Sequence, residues 1–144
     1  MLIGEYLHTI DDKKRVALPA KFRKELGRKV IITHGFDDCL ALFAPKAWAL
    51  FLDKLEKLSV GQSSTRRLKR YLLGGALEVE VDTAGRILVP DFLKSSAKLG
   101  TQVTIIGVRD RVEIWDKDRW QEYRDLAGKE ADALAEELAK SGNL

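Results

Sequence analysis

An aspartate and an arginine four positions apart occur twice between similar flanks, as Asp11-Asp12-Lys13-Lys14-Arg15 and Asp82-Thr83-Ala84-Gly85-Arg86. A carboxylate at a turn entrance accepts turn N–H bonds, and a guanidinium four residues later lies on the facing strand within its reach. Two chemistries are open to such a pair. The ion pair closes a hairpin and does nothing more, or it holds an arginine at a narrow tip where an anionic partner can meet it. Charge bears on the choice: the chain carries +3 overall, but residues 1–75 hold 15 Lys and Arg against 8 Asp and Glu, and residues 76–144 hold 10 against 14. This asymmetry suggests a basic surface on the first half facing a polyanion, nucleic acid being the usual candidate; an unevenly charged solvated surface is the alternative.

A second basic cluster, Arg66, Arg67, Lys69 and Arg70, fills four of five consecutive positions and therefore cannot share one helix face. It is either a further contact for an anion or a solvated helix side. Other reactive residues offer less. His8 and His34 have no Cys or carboxylate at metal-ligand spacing, and no Ser stands near a plausible base. Asp37-Asp38 reads as a turn. Gly74-Gly75 and Thr83-Ala84-Gly85-Arg86 are too short and wrongly placed for a phosphate loop. Trp48, Trp115 and Trp120 read as core or interface anchors. The chain is expected to be no enzyme and to need no cofactor or metal.

The elements that must hold the two tips are written twice as well, with a period of about 70 residues. Glu5 to Ile10 reads as a strand entering the first tip, and Val16 to Leu18 as its return; Ile87 to Val89 match the latter. Pro19 and Pro90 open short helices that Gly27 and Gly100 would end. Branched runs follow at Val30 to Ile32 and Val103 to Ile106, then turns at Gly35 and Gly107, then strands at Leu40 to Phe43 and Val112 to Trp115. Gly85 occupies the place where a three-residue hairpin loop needs a left-handed residue. Lys14 holds that place in the first tip, which must accept positive φ at a cost or turn differently.

Between the repeats, Trp48, Phe51, Leu52 and Leu55 mark a helix from Pro45 to about Leu58. Ser63 or Ser64 would cap the basic helix, and Gly74-Gly75 would end it. From Lys117, the stripe Trp120, Tyr123, Leu126, Ala127, Ala131, Leu134 and Leu138 predicts an amphipathic helix broken near Gly128 and buried against the domain or a neighbouring subunit. At 144 residues with 45% apolar content, the chain is expected to be one domain with its own core, residues 1–144. Its parts are a first repeat (1–58), a linking helix (59–75) and a second repeat with the C-terminal helix (76–144). Cys39 is alone, an acidic residue follows the N-terminus closely, and no apolar run is of membrane-spanning length, so a cytoplasmic location with no membrane contact is expected.

The paired Asp-x-x-x-Arg turns, Pro19-Ala20-Lys21-Phe22-Arg23, Arg66-Arg67-Leu68-Lys69-Arg70-Tyr71-Leu72-Leu73-Gly74, and Glu113-Ile114-Trp115-Asp116 followed by Trp120 together resemble the MraZ family over nearly the whole chain. Members commonly have Gly where Lys14 stands. The resemblance implies an α+β fold: a small swapped-hairpin β-barrel built from two tandem AbrB-like repeats, surrounded by helices. It also implies a nucleoid-associated DNA-binding regulator, acting as a ring-shaped homo-oligomer on promoter direct repeats of the division and cell-wall gene cluster, its own promoter included; whether it represses or activates stays open. The alternative is a ring-forming protein-interaction scaffold with only non-specific DNA affinity. Carried onto this chain, the resemblance makes Arg15, Lys13 and Lys14 the DNA-facing residues, with Asp11 orienting Arg15. Arg86 and Asp82 match the same motif but lie in the acidic half, and could serve barrel structure or a subunit interface instead. Arg66, Arg67, Lys69 and Arg70 remain candidates. Lys would neutralise phosphate, and Arg can pair with guanine O6 and N7.

Overall fold

Period-two apolar alternation and helical periodicity succeed one another along the chain, and a computed structural model describing residues 1–144 turns them into eight strands and five helices. The first repeat contains β1 (Leu2–Thr9), β2 (Arg15–Ala17), α1 (Ala20–Leu26), β3 (Lys29–His34) and β4 (Leu40–Phe43). Helices α2 (Pro45–Glu56) and α3 (Ser63–Gly74) follow. The second repeat gives β5 (Leu77–Glu80), β6 (Arg86–Leu88), α4 (Asp91–Ser96), β7 (Gln102–Arg109) and β8 (Val112–Asp116), and α5 (Lys117–Lys140) ends the chain. The fold is mixed α+β, with a six-stranded antiparallel sheet in the order β1-β7-β8-β4-β3-β5 and a separate ribbon of β2 and β6.

Strand pairing crosses between the repeats. β1 pairs along its whole length with β7, and β5 pairs with β3, so each repeat lends its first strand to the other. The remaining cross-repeat pairs are centred on corresponding residues. In the ribbon Val16 faces Ile87, and between β4 and β8 Ala41 faces Glu113. The core follows this exchange: its largest cluster of 19 buried residues takes ten from the first repeat, Phe22 and Leu18 among them, and nine from the second, including Ile87 and Leu93.

Several local features differ from the sequence expectation. Gly107 is not in a turn but inside β7, opposite Gly4, because β1 is long enough to pair with it there. A Cβ at Gly107 would lie 2.5 Å from the Leu2 and Ile3 backbone, so the two strands approach at a distance only glycine permits. Neither Ser63 nor Ser64 caps α3; the cap is Gln62, with no side-chain bond. α4 stops at Ser96, and its reversal uses Lys98 at φ 54° rather than Gly100. Helix α5 runs unbroken through Gly128, an open position where a missing side chain costs little. None of its stripe is buried: at its start a half-buried Trp120 and an exposed Tyr123 pack on Trp115, and Leu126, Leu134 and Leu138 are exposed.

Close approach at Gly107 is directly testable. Gly107→Ala should destabilise the protein by about 1–3 kcal/mol through overpacking against immobile backbone. Gly74→Ala, whose Cβ meets nothing within 4 Å, should instead add up to about 1 kcal/mol through helix propensity. Urea unfolding midpoints of the two variants, shifted in opposite directions, would check both.

Candidate nucleic-acid interface

The two tips have the same geometry. In the first, Asp11 Oδ1 accepts from the backbone N–H groups of Lys13 and Arg15, both at 2.9 Å, and Oδ2 accepts from Arg15 Nε at 2.8 Å. In the second, Asp82 Oδ1 accepts from Ala84 N at 3.0 Å and Arg86 N at 2.8 Å, and Oδ2 from Arg86 Nε at 2.9 Å. Backbone bonds close each loop identically, Lys14 N to Asp11 O and Gly85 N to Asp82 O. Of the two possibilities left open for Lys14, the chain takes the first: φ is 61°, beside 78° at Gly85.

The surroundings of the left-handed position differ between the two tips. A Cβ on Gly85 would collide with the Arg23 guanidinium, which lies over that tip with its Nε bonded to Leu18 O at 2.8 Å. The residue corresponding to Arg23 in the second repeat is Lys94, and Lys14 reaches across to form an ion pair with Asp91. The first tip thus bears the strain of a left-handed lysine and gains a side-chain anchor.

Register settles which way the arginines point. Arg15 faces Leu88 and Ala17 faces Arg86, so these four share one face of the ribbon, while Val16 and Ile87 fill the core from the other. Arg15 and Arg86 are therefore diagonal neighbours on the outer face, within reach of one another's long side chains. In each, Nε is taken by the aspartate and both Nη groups make no hydrogen bond within the protein. Leu88, 53% exposed, lies between them. Sequence spacing sets the two motifs apart, one in each charge half; the ribbon joins them on one surface.

The basic helix sits elsewhere. Arg66 Nη1 donates to Val60 O and Gly61 O, each at 3.1 Å, and Lys69 pairs with Glu56 at 3.4 Å. Arg67 and Arg70 are exposed. Tyr71 stacks on His34 with centroids 4.1 Å apart, at the end of β3 remote from the second tip, so about 20 Å of strand separates α3 from it. His34 also meets Ser96 through Nδ1 at 3.1 Å, and burial lowers its pKa, as it does that of His8. No group of three His, Cys, Asp or Glu side chains stands close enough to hold a metal. Buried Cys39, its thiol pKa pushed up by burial, and Glu113, held by Arg111 at 2.8 Å and Trp115 at 3.2 Å, belong to packing. Sequence reasoning missed the position of Arg23, Arg28 and Lys29 beside the second tip. The only sequence signal was Arg23 itself, at the end of Pro19-Ala20-Lys21-Phe22-Arg23.

The carboxyls of Asp11 and Asp82 have pKa values below their ordinary 3.8, chiefly because the backbone N–H of Arg15 or Arg86 donates to the ionised form. A lowered folded-state pKa adds stability that is fully present above the unfolded value and is lost as pH falls through the folded one. Wild type should therefore lose more stability below about pH 4 than Asp11→Asn/Asp82→Asn, which has no such charge to protonate. Urea midpoints measured down the acid range check this; equal losses in both proteins would refute it.

Residues 1–71 and 72–140 each match the family model described as "MraZ protein, putative antitoxin-like". A protein named transcriptional regulator MraZ from Caldanaerobacter subterraneus subsp. tengcongensis is 46% identical over 97% of this chain and 95% of its own length. The same name attaches to relatives from Moorella thermoacetica, 44% identical with 96% of both chains covered, and Caldicellulosiruptor saccharolyticus, 44% identical with 99% of both covered. With both repeats matched and similarity running from end to end, the chain belongs to the MraZ family.

Proposed function

We propose that this protein is a sequence-specific DNA-binding transcriptional regulator, not an enzyme, that reads duplex DNA with the outer face of the β2–β6 ribbon. The regulator role follows the naming of its relatives. The observation that carries the DNA-reading face is the arginine pair: Arg15 and Arg86 are fixed through Nε by Asp11 and Asp82, and their free Nη groups face solvent on one side. A guanidinium so held can donate to guanine O6 and N7, while Lys13 neutralises phosphate, with Lys14 beside it anchored on Asp91. Asp11 and Asp82 act as orienting residues. The position of Arg66, Arg67, Lys69 and Arg70, away from the ribbon, favours a secondary role for them.

Completion of the fold as a swapped-hairpin barrel is part of the same reading. It is supported by the exchange of β1 and β5 and by the backbone bonds from Leu18 N to Gly85 O and Val89 N to Lys14 O, which hold each tip to the other repeat's strand end. The shared core supports a single domain of two repeats, 1–58 and 76–144, bridged by 59–75. One ribbon contacts few bases, so useful affinity needs several protomers on adjacent direct repeats, as in a homo-oligomeric ring. The exposed stripe of α5 offers surface for a neighbouring copy. The promoter of the division and cell-wall cluster, bound in the cytoplasm at the nucleoid, is the target this reading names.

The test is a titration of wild type and Arg15→Ala against own-promoter DNA and a scrambled duplex over a range of salt. Wild type should prefer its promoter, and Arg15→Ala should lose about 1–3 kcal/mol of that discrimination while its assembly persists. Equal binding of both duplexes by wild type, with steep release as salt rises, would replace this reading with a protein-interaction scaffold having only phosphate attraction.

A further inference from the structure

Strand exchange gives the two tips different neighbours. Val81 N donates to Arg28 O and Ile10 N to Thr101 O, both at 2.8 Å, and these are corresponding bonds in the two repeats. Each tip therefore lies against the turn that precedes β3 or β7 of the opposite repeat. The second tip, whose loop residues Thr83, Ala84 and Gly85 are uncharged, is set against Arg28 and Lys29. The first, which carries Lys13 and Lys14, is set against Thr101 and Gln102. Basic charge missing from one loop is supplied by the wall beside it.

That wall borders an open groove of about 980 Å³, whose lining includes Arg23, Arg28 and Lys29 together with Glu80, Asp82 and Thr83. Arg23 is positioned by its Nε bond to Leu18 O and has both Nη groups unbonded. The Arg28 side chain makes no hydrogen bond or ion pair, and Lys29 pairs with Glu78 at 3.4 Å at the protein surface. Of the two carboxylates, Asp82 is engaged by its own turn and Arg86, leaving Glu80 without a cationic partner. Arg23 comes from α1 while Arg28 and Lys29 lead into β3, so the cations reach an open groove from two elements, which suits an extended polyanion better than an enclosed small anion. The groove also adjoins the tip that carries Arg86.

We propose that Arg23, Arg28 and Lys29 form a phosphate-binding shoulder for the second tip, carrying the backbone of duplex DNA while Arg86 faces the bases. This rests on the DNA-binding reading above and extends it by giving the second tip the phosphate contacts that its own uncharged loop lacks. Glu80, the cross-strand neighbour of Lys29, sets the limit of the basic surface on the β5 side.

The test uses full-length Arg28→Gln/Lys29→Gln, both positions exposed, titrated against own-promoter and scrambled duplexes over a range of salt. The slope of log affinity against log salt should become shallower by about 1.8 for each engaged protomer, at about 0.9 per phosphate contact. Both duplexes should weaken by the same factor, leaving their ratio intact. Lys46→Gln/Lys57→Gln, which removes the same charge at exposed positions on and just after α2, should leave the slope unchanged. A wild-type slope in the groove variant, a slope change no larger than that of the α2 variant, or a loss of sequence preference instead of slope would each overturn the shoulder. Failure of the DNA-binding reading is distinct, because wild type itself would then show no preference for its promoter.

Discussion

The exchange of first strands between the repeats is the constraint on which everything else depends. β1 finds its hydrogen-bonding partner only in β7, and β5 only in β3, so neither repeat can complete its own sheet or enclose its own apolar residues. The core reflects this by drawing almost equally on both. Because side chains alternate with period two, a slip of one residue in either exchanged pair would turn Tyr6 of β1 or Val79 of β5, which pack on the core, outward. Gly4 opposite Gly107 adds a steric pin to the β1 register, since the strands pass there at backbone contact.

Features governed by neighbours in sequence are legible in the chain itself. The Asp-x-x-x-Arg tips, the left-handed position at Gly85, the proline-led helices and the α2 stripe all depend on bonds within a few residues. What is not legible there depends on pairing between distant segments. Gly107 resembles a turn glycine because nothing nearby in sequence announces a partner strand. Arg15 and Arg86 fall in differently charged halves when charge is counted along the chain, whereas the ribbon interleaves them. The distal stripe of α5 has the pattern of a face that must be buried, yet within the protomer only the turns near Trp120 find partners: Trp120 Nε1 donates to Glu5 at 2.8 Å and Arg124 Nη1 to the same carboxylate at 2.6 Å.

The two tips also show how one local structure tolerates different sequences. Five hydrogen bonds centred on an aspartate, two of them donated by backbone N–H groups within the loop, define the turn strongly enough that the residue at its left-handed position is free to vary. That position is then selected by what lies over it. A side chain at Gly85 would displace Arg23 from its place over the tip, while Asp91 beside Lys14 rewards a long cationic one. A repeat-to-repeat comparison of single positions misses this, because the selecting residue comes from the other repeat in both cases.

An aspartate beside a DNA-reading arginine looks like a handicap, since it places a negative charge near phosphates. Its geometry answers the objection. Both carboxylate oxygens are occupied by donors, so the charge is compensated where it sits, and the arginine is left with its Nη edge outward and its Nε fixed. A free arginine would surrender much of its rotamer freedom on binding, a cost of roughly 0.5–1.5 kcal/mol per immobilised side chain that a pre-held one largely avoids. The consequence is a tip with almost no net attraction of its own beyond its lysines. If the tips read DNA as proposed, orientation and attraction are divided between different residues: the aspartate-held arginines would set the pose, while long-range pull would come from cations that no carboxylate compensates. On the proposed reading these are Lys13 at one tip and Arg23 and Arg28 at the other, which the strand exchange brings to the tip whose own loop carries none.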